Sequence, residues 1–303
     1  MWYRLGRVPS RFSPIRRLGS GGATEVILAE DGGAARRRVV VKRVLPHLAG
    51  DHRFLDAFRA QAAVALRLHH PNVVRTFEAG EEEGLPFLVM EALDGVDLRA
   101  IAGPVAPGVA CAIAAAVARG LAYAHGFGDR TGPLLLVHRD VTPHNIFLTR
   151  AGAVKVLDFD NAKSTCDAKA AGRTTVVGKI GYMAPEQLAG LAIDARADLF
   201  ALGVVLWEML TGRRPWGDRD GDGVAQATRE ESVLPPSAVA AGVPCELDGL
   251  VMALLAKFPT GRPAHARDVA AWLDTFLASC GAPDAAASIA SAVDAAVARA
   301  RPK

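Results

Sequence analysis

Hydrophobic and polar positions change rhythm once along this chain. In the first ninety residues short β-branched runs alternate with glycine turns, and the pattern predicts strands at Arg16 to Leu18, Glu25 to Leu28, Arg38 to Lys42, Asn72 to Glu78 and Pro86 to Met90. One stretch has helical spacing instead: in FLDAFRAQAAVALRL, residues 54 to 68, Phe54, Phe58, Ala62, Ala65 and Leu66 fall on one face. From about residue 96 the period becomes mainly helical, with helices predicted at Val109 to His125, Asp198 to Leu210, Leu247 to Ala256 and Ala266 to Leu277. A small β-rich lobe therefore precedes a larger helical one, with a hinge near Glu91 to Asp94. After residue 280 an Ala-rich tail places Ile289, Val293 and Val297 on one helical stripe. It reads either as a helix packed on the large lobe or as a linker or partner-binding segment.

Composition adds little. The chain has 303 residues, 22% charged and 50% hydrophobic, with a formal charge of +3. That balance predicts neither nucleic acid nor a membrane surface as partner. The cysteines, Cys111, Cys166, Cys245 and Cys280, are dispersed without a Cys-x-x-Cys pair, which predicts a reduced, cytoplasmic setting and no zinc cage. No stretch reads as a signal peptide or a membrane span; the nearest, the Ala-rich segment from 101 to 118, reads as a buried helix.

The chemistry lies in a few ordered motifs. LGSGGATEV, residues 18 to 26, sets Gly19, Gly21 and Gly22 between two strands, where the missing Cβ atoms let backbone N–H groups approach a polyphosphate. A simple hairpin turn explains the same glycines. Lys42 ends the strand VVVK and is one of only seven lysines against 28 arginines; a compact ammonium suits nucleotide phosphates, although a lone strand lysine commonly faces solvent. HRDVTPHN, residues 138 to 145, followed by Asp158, is more specific. An Asp to orient an acceptor hydroxyl (Asp140), with an Asn and a second Asp to hold Mg2+ (Asn145, Asp158), is what phosphoryl transfer from ATP requires.

Together with GYMAPEQ (181 to 187), DARADLFALGVVLWEMLTGRRPW (194 to 216) and Arg262 in FPTGRP, these motifs make residues 14 to 278 resemble the eukaryotic-like (Hanks-type) protein kinases, especially the bacterial serine/threonine branch. The resemblance implies an α+β, bilobal protein-kinase fold with ATP in the cleft: an N-terminal tail at 1–13, a β-rich lobe at 14–92, a helical lobe at 93–279 and the tail at 280–303. It implies nucleotide contacts from Leu18, Val26, Val40, the gatekeeper Met90, the hinge residues Glu91 and Leu93, and Asp97 at the ribose. It also implies an ion pair between Glu186 and Arg262, and Asp198 as anchor of the catalytic loop. The expected activity is Mg2+- and ATP-dependent transfer to Ser or Thr hydroxyls of a protein substrate in bacterial signalling.

Three departures from the family pattern bear on rate. Gln61 stands where the family has the glutamate that pairs with Lys42, and no Glu occurs between Glu30 and Glu78. Asp160 replaces the glycine after Asp158-Phe159; it reads as a tolerated solvent-side substitution, or as a carboxylate that repels Asp158 or assists at the metal. Thr142 and Lys179 exchange the family's Lys and Thr, so that an ammonium and a hydroxyl are expected to meet near Asp140 from opposite segments. The first predicts a slower enzyme; the competing reading, which Gln61 and Asp160 support, is a pseudokinase that binds nucleotide or a partner and signals as a scaffold. Arg139 beside Asp140 further suggests phosphorylation at Thr174 or Thr175.

Overall fold

The computed structural model describes residues 9–33, 36–101, 103–129, 132–159, 177–217, 219, 221–281 and 284–300. Its chain divides into two units, Met1–Asp94 and Gly95–Lys303. Asp160, Cys166, Thr174 and Thr175 lie outside the described residues.

The first unit is an antiparallel sheet of β1 (Phe12–Ser20), β2 (Thr24–Asp31), β3 (Arg38–Val44), β4 (Thr76–Glu82) and β5 (Leu85–Glu91), in the order β1-β2-β3-β5-β4. The two faces separate because strand side chains alternate. Phe12, Ile27, Ala29, Val39, Val41, Phe87 and Val89 form one buried cluster. On the other face Val44 and Leu88 pack with Leu55, Phe58 and Ala62 of helix α1 (His52–Ala65). Asp51 caps that helix by accepting from Phe54 N at 3.0 Å. The buried stripe of α1 includes Leu55, while Phe54 is only half-buried. The fourth strand begins at Thr76, four residues later than its β-branched run suggests. Residues 70 to 73 turn instead: Val73 N–H reaches His70 O at 3.0 Å and Asn72 N–H reaches the His70 imidazole at 3.1 Å, so their backbone groups leave the ladder.

The second unit contains sheet as well as helix. The short strands β6 (Gly95–Asp97), β9 (Ile146–Thr149) and β10 (Val154–Val156) form a three-stranded sheet in the order β10-β9-β6, and β7 (Gly128–Asp129) pairs with β8 (Gly132–Pro133). At two to four residues each, they are too short for a period-2 pattern to register. The helices are α2 (Pro107–His125), α3 (Pro185–Leu188), α4 (Arg196–Thr211), α5 (Gly221–Glu230), α6 (Pro236–Val239), α7 (Glu246–Leu254), α8 (Ala266–Ser279) and α9 (Ala285–Ala300). Helix α2 is long and apolar enough to cross a membrane, but most of it is buried here, and it packs on α8 and α4. Helix α4 is apolar on nearly every side and almost wholly buried, so its few polar groups must find partners inside the unit.

Helix α9 lies against β6, β9 and α2. Ile289, Val293 and Ala296 face inward, Ala296 taking the place that the stripe assigns to Val297. Asp294 pairs with Arg150. Gly152, at φ +77°, permits the close approach: a Cβ there would fall 2.1 Å from the Ala286 carbonyl oxygen.

Candidate active site

Strand register places the candidate residues of the first unit. Val26 is opposite Lys42, Lys42 opposite Leu88, and Val40 opposite Met90. Directly paired residues share a face, and so do residues two apart. Val26, Val40, Lys42 and Met90 therefore lie on one face, the one that α1 covers through Leu88 and Val44. Lys42 is buried to 6% exposure, so it is not the solvent-facing lysine that strands commonly carry. Gln61 is half-buried on α1, next to Ala62 of the same cluster.

Leu18 is exposed near the end of β1, where Gly19 pairs with Val26 and Gly21 N–H reaches Thr24 O at 2.9 Å. A Cβ at Gly19 or Gly22 would meet nothing within 4 Å, and at Gly21 only the Thr24 carbonyl at 4.0 Å. Internal packing does not demand glycine at these positions. Glu91 accepts from Arg75 N–H at 2.8 Å through its carboxylate, and Leu93 is half-buried.

In the second unit the β9–β10 hairpin does the corresponding work. Ile146 pairs with Val156, and Leu157 N–H donates to Asn145 O at 2.8 Å, so Asn145 and Asp158 emerge at the same end of the hairpin. The Asn145 amide Nδ2 donates to both the Asp140 backbone oxygen and Asp140 Oδ2, each at 2.8 Å. Lys179 Nζ donates to the same Oδ2 at 2.5 Å. The expected ammonium thus reaches Asp140. The expected hydroxyl does not: Thr142 is buried, and among the described residues its Oγ1 has no hydrogen-bond partner.

Asp198, near the start of α4, anchors the loop. Its carboxylate accepts from His138 N–H at 2.8 Å, Arg139 N–H at 2.7 Å and His125 Nε2 at 2.7 Å. Burial works to raise its pKa, but the bond and charge of His125 and the Arg139 N–H outweigh burial and hold the group below the ordinary carboxylate value. His138 donates from Nε2 to Leu157 O at 2.7 Å and accepts Asp140 N–H on Nδ1 at 3.2 Å, the pattern of a neutral imidazole with its proton on Nε2. Phe159 closes edge-on over that ring at 4.6 Å. Arg139 and Asp158 have φ of +65° and +59°, a left-handed conformation costly for any side chain and here imposed by the surrounding bonds.

The Glu186–Arg262 pair is present as a buried two-bond fork at 2.6 and 2.8 Å, and Arg262 spends its remaining N–H groups on the carbonyls of Ala256, Arg196 and Lys257. Two positioning residues escaped the sequence reading. Gln187 bonds Ala184 N–H and Arg139 O, tying the segment after Lys179 to the catalytic loop, and its signal was its place directly after Ala-Pro-Glu. His125 reaches Asp198 from the end of α2; a histidine closing an Ala-rich helix was the available hint. Asp97 caps its own turn, accepting from Ala100 N–H at 3.1 Å, and its other oxygen stands 3.7 Å from His144.

An Asp oriented by an Asn and a Lys, next to an Asn and Asp at one hairpin end, belongs to an enzyme class that moves phosphoryl groups. Residues 12–271 match the protein kinase domain model, and the chain belongs to that family. It is 40% identical over 273 residues to the tyrosine-protein kinase MasK of Myxococcus xanthus, covering 87% of this chain and 42% of that protein. It is 39% identical over 279 residues to the serine/threonine-protein kinase PknB of Mycolicibacterium smegmatis, covering 89% and 42%. The chain thus spans about two fifths of the length of these relatives. A crystal structure of the Mycobacterium tuberculosis PknI kinase domain superposes with a TM-score of 0.66 at 28% identity, covering 91% of this chain and 99% of that one. Membership of the family implies ATP and a divalent metal as its reagents.

Proposed function

We propose that the chain is a serine/threonine protein kinase that uses ATP and Mg2+ on the cytoplasmic side of a bacterial cell. The observation that carries this reading is Asp140, whose Oδ2 is held by Asn145 and Lys179. Among the described residues its Oδ1 takes no hydrogen bond, which leaves that oxygen to receive the proton of an acceptor hydroxyl.

The donor set fits magnesium. Asp158 supplies a carboxylate, and Asn145, whose Nδ2 is committed to Asp140, supplies an amide oxygen; a site with one or two protein oxygens completed by phosphate suits a small hard cation. Bound there, the metal would neutralise charge on the β- and γ-phosphates. Lys42, buried on the strand face shared with Val26, Val40 and Met90, binds the α- and β-phosphates, while the backbone of Gly19 to Gly22 covers them. Leu18, Glu91, Leu93 and Asp97 complete the adenosine contacts. Lys179 orients Asp140 and offers positive charge where negative charge builds during transfer.

The test is transfer of labelled γ-phosphate to the protein itself and to a Thr-containing peptide, with Asp140→Asn as control. Labelling by the wild type and a loss on the order of 10²- to 10⁴-fold in the variant, with nucleotide binding retained, is the expected result. Phosphate found on tyrosine alone would move the chain to the specificity named for MasK. Equal labelling by both proteins would remove Asp140 from the reaction.

A further inference from the structure

The most extensive helix–helix contact in the second unit, between α2 and α8, sets two cysteines at one level. The helices run antiparallel: His125 at the end of α2 and Ala266 at the start of α8 line one cavity of about 460 Å³, and farther along Arg119 pairs with Asp274 at 2.8 Å. Cys111 stands fourteen residues before His125, and Cys280 fourteen residues after Ala266. At a rise of about 1.5 Å per residue, each lies about 21 Å along its helix from that shared cavity. The faces agree as well as the level. Cys111 begins the α2 stripe that continues through Ala115, Ala118 and His125, while Cys280 ends the buried α8 stripe of Val269, Leu273 and Phe276. Cys280 N–H still bonds Phe276 O at 3.1 Å, so the helix holds its course to that residue.

The two sulfurs differ in access. Cys111 is 0% exposed, whereas Cys280 is open to solvent, and both are free thiols. Burial pushes the Cys111 thiol up to about 12, and the Cys280 sulfur adds to that rise, an influence that distant thiols would not exert. A reagent in solvent therefore meets Cys280 first, while Cys111 is shielded from direct attack and has Cys280 as its neighbour.

We propose that Cys280 and Cys111 are a redox pair that joins α8 to α2 when a low-molecular-weight disulfide reaches the protein. Cys280 gives its proton to solvent and attacks one sulfur of the small disulfide; that S–S bond breaks, a mixed disulfide forms, and one small thiolate leaves and takes up a proton. Cys111 then attacks the Cys280 sulfur, the mixed bond breaks, and the second small thiol departs with the Cys111 proton. The protein has lost two electrons and the small disulfide has gained them. The new bond closes a loop that runs from α2 through the catalytic loop and α4 to α8, and so braces the stretch that carries Asp140 and Asp198. In a reducing compartment such a bond is transient, which suits a sensor rather than a permanent staple.

Glutathione disulfide added to the full chain tests this, with Cys166→Ser and Cys245→Ser in every sample so that two thiols remain. Mass spectrometry and peptide mapping should find a product that has lost the mass of two hydrogens, joins the Cys111 and Cys280 peptides, and reverts with dithiothreitol. Cys111→Ala should halt the reaction at a stable glutathione adduct on Cys280. Cys280→Ser should leave Cys111 unmodified; because Cys280 is exposed, this arm stands even if Cys111→Ala melts early. The joined form should unfold at a higher urea concentration than the reduced one, since the bond restricts the unfolded chain. No readout requires phosphate transfer, so the result does not depend on the kinase reading. A lasting glutathione adduct on Cys280 with both thiols present, modification of Cys111 in the Cys280→Ser variant, no loss of free thiols, or an unmoved urea midpoint would each overturn the proposal.

Discussion

The two units hold their site residues by different means. In the first, Val26, Val40, Lys42 and Met90 are placed by strand register, and the ladder of backbone bonds that sets it does not involve their side chains. In the second, Asp140, Asn145 and Asp158 stand outside the strands, and buried side chains fix the backbone: Asp198 takes two consecutive N–H groups, His138 bridges Leu157 and Asp140, and Asn145 binds Asp140 twice. A sheet position can change its side chain and keep its scaffold. A loop anchor cannot, because several groups lose their partner at once.

The largest effect is therefore expected at Asp198. Asp198→Ala would leave the His138 and Arg139 N–H groups and the His125 ring without their acceptor, a loss of about 3–5 kcal/mol in thermal or urea unfolding. The carboxyl also links folding to pH. Its folded pKa is below the ordinary value, so its contribution is present above that ordinary value and fades as pH falls through the lower folded one. Asp198→Asn should flatten that acid limb below about pH 4. If the variant unfolds in acid with the wild-type slope, other carboxyls dominate.

An intermediate effect is expected where the second unit touches the chemistry without holding the backbone. Lys179→Met removes the ammonium from Asp140 Oδ2 but leaves both Asn145 bonds. Turnover should drop on the order of tenfold to a hundredfold, with KM for ATP and the unfolding midpoint nearly unchanged, because the lost charge acts mainly as transfer proceeds. A rise in KM of the same size, at constant kcat, would make Lys179 a binding residue only.

The smallest effect belongs to the first unit. Gln61→Glu puts a carboxylate on α1, which covers the face carrying Lys42. A restored charge-assisted bond is worth about 1 kcal/mol, so the rate should rise tenfold or less, with stability unaltered. An unchanged or lower rate would mean that Lys42 is already held in its working position by other groups.

Much of this molecule was legible in its residues because local rules are written locally. Alternation in β2 and β3, the 3.6-residue period of α8, the long apolar runs of α2 and α4, and the fixed spacing within HRDVTPHN and Ala-Pro-Glu each depend on neighbours in sequence, and from them followed the order of the two units and the family. What took tertiary structure were the contacts between segments far apart in the chain. Strands β6, β9 and β10 exist because they pair with one another, not because three or four residues prefer to be extended. Of the exchanged pair, Lys179 reaches Asp140 while Thr142 turns into the core, since reach and burial depend on where the backbone runs. A groove beside Tyr182 and Glu208 takes side chains from positions 99, 144 and 214, and only folding brings them together.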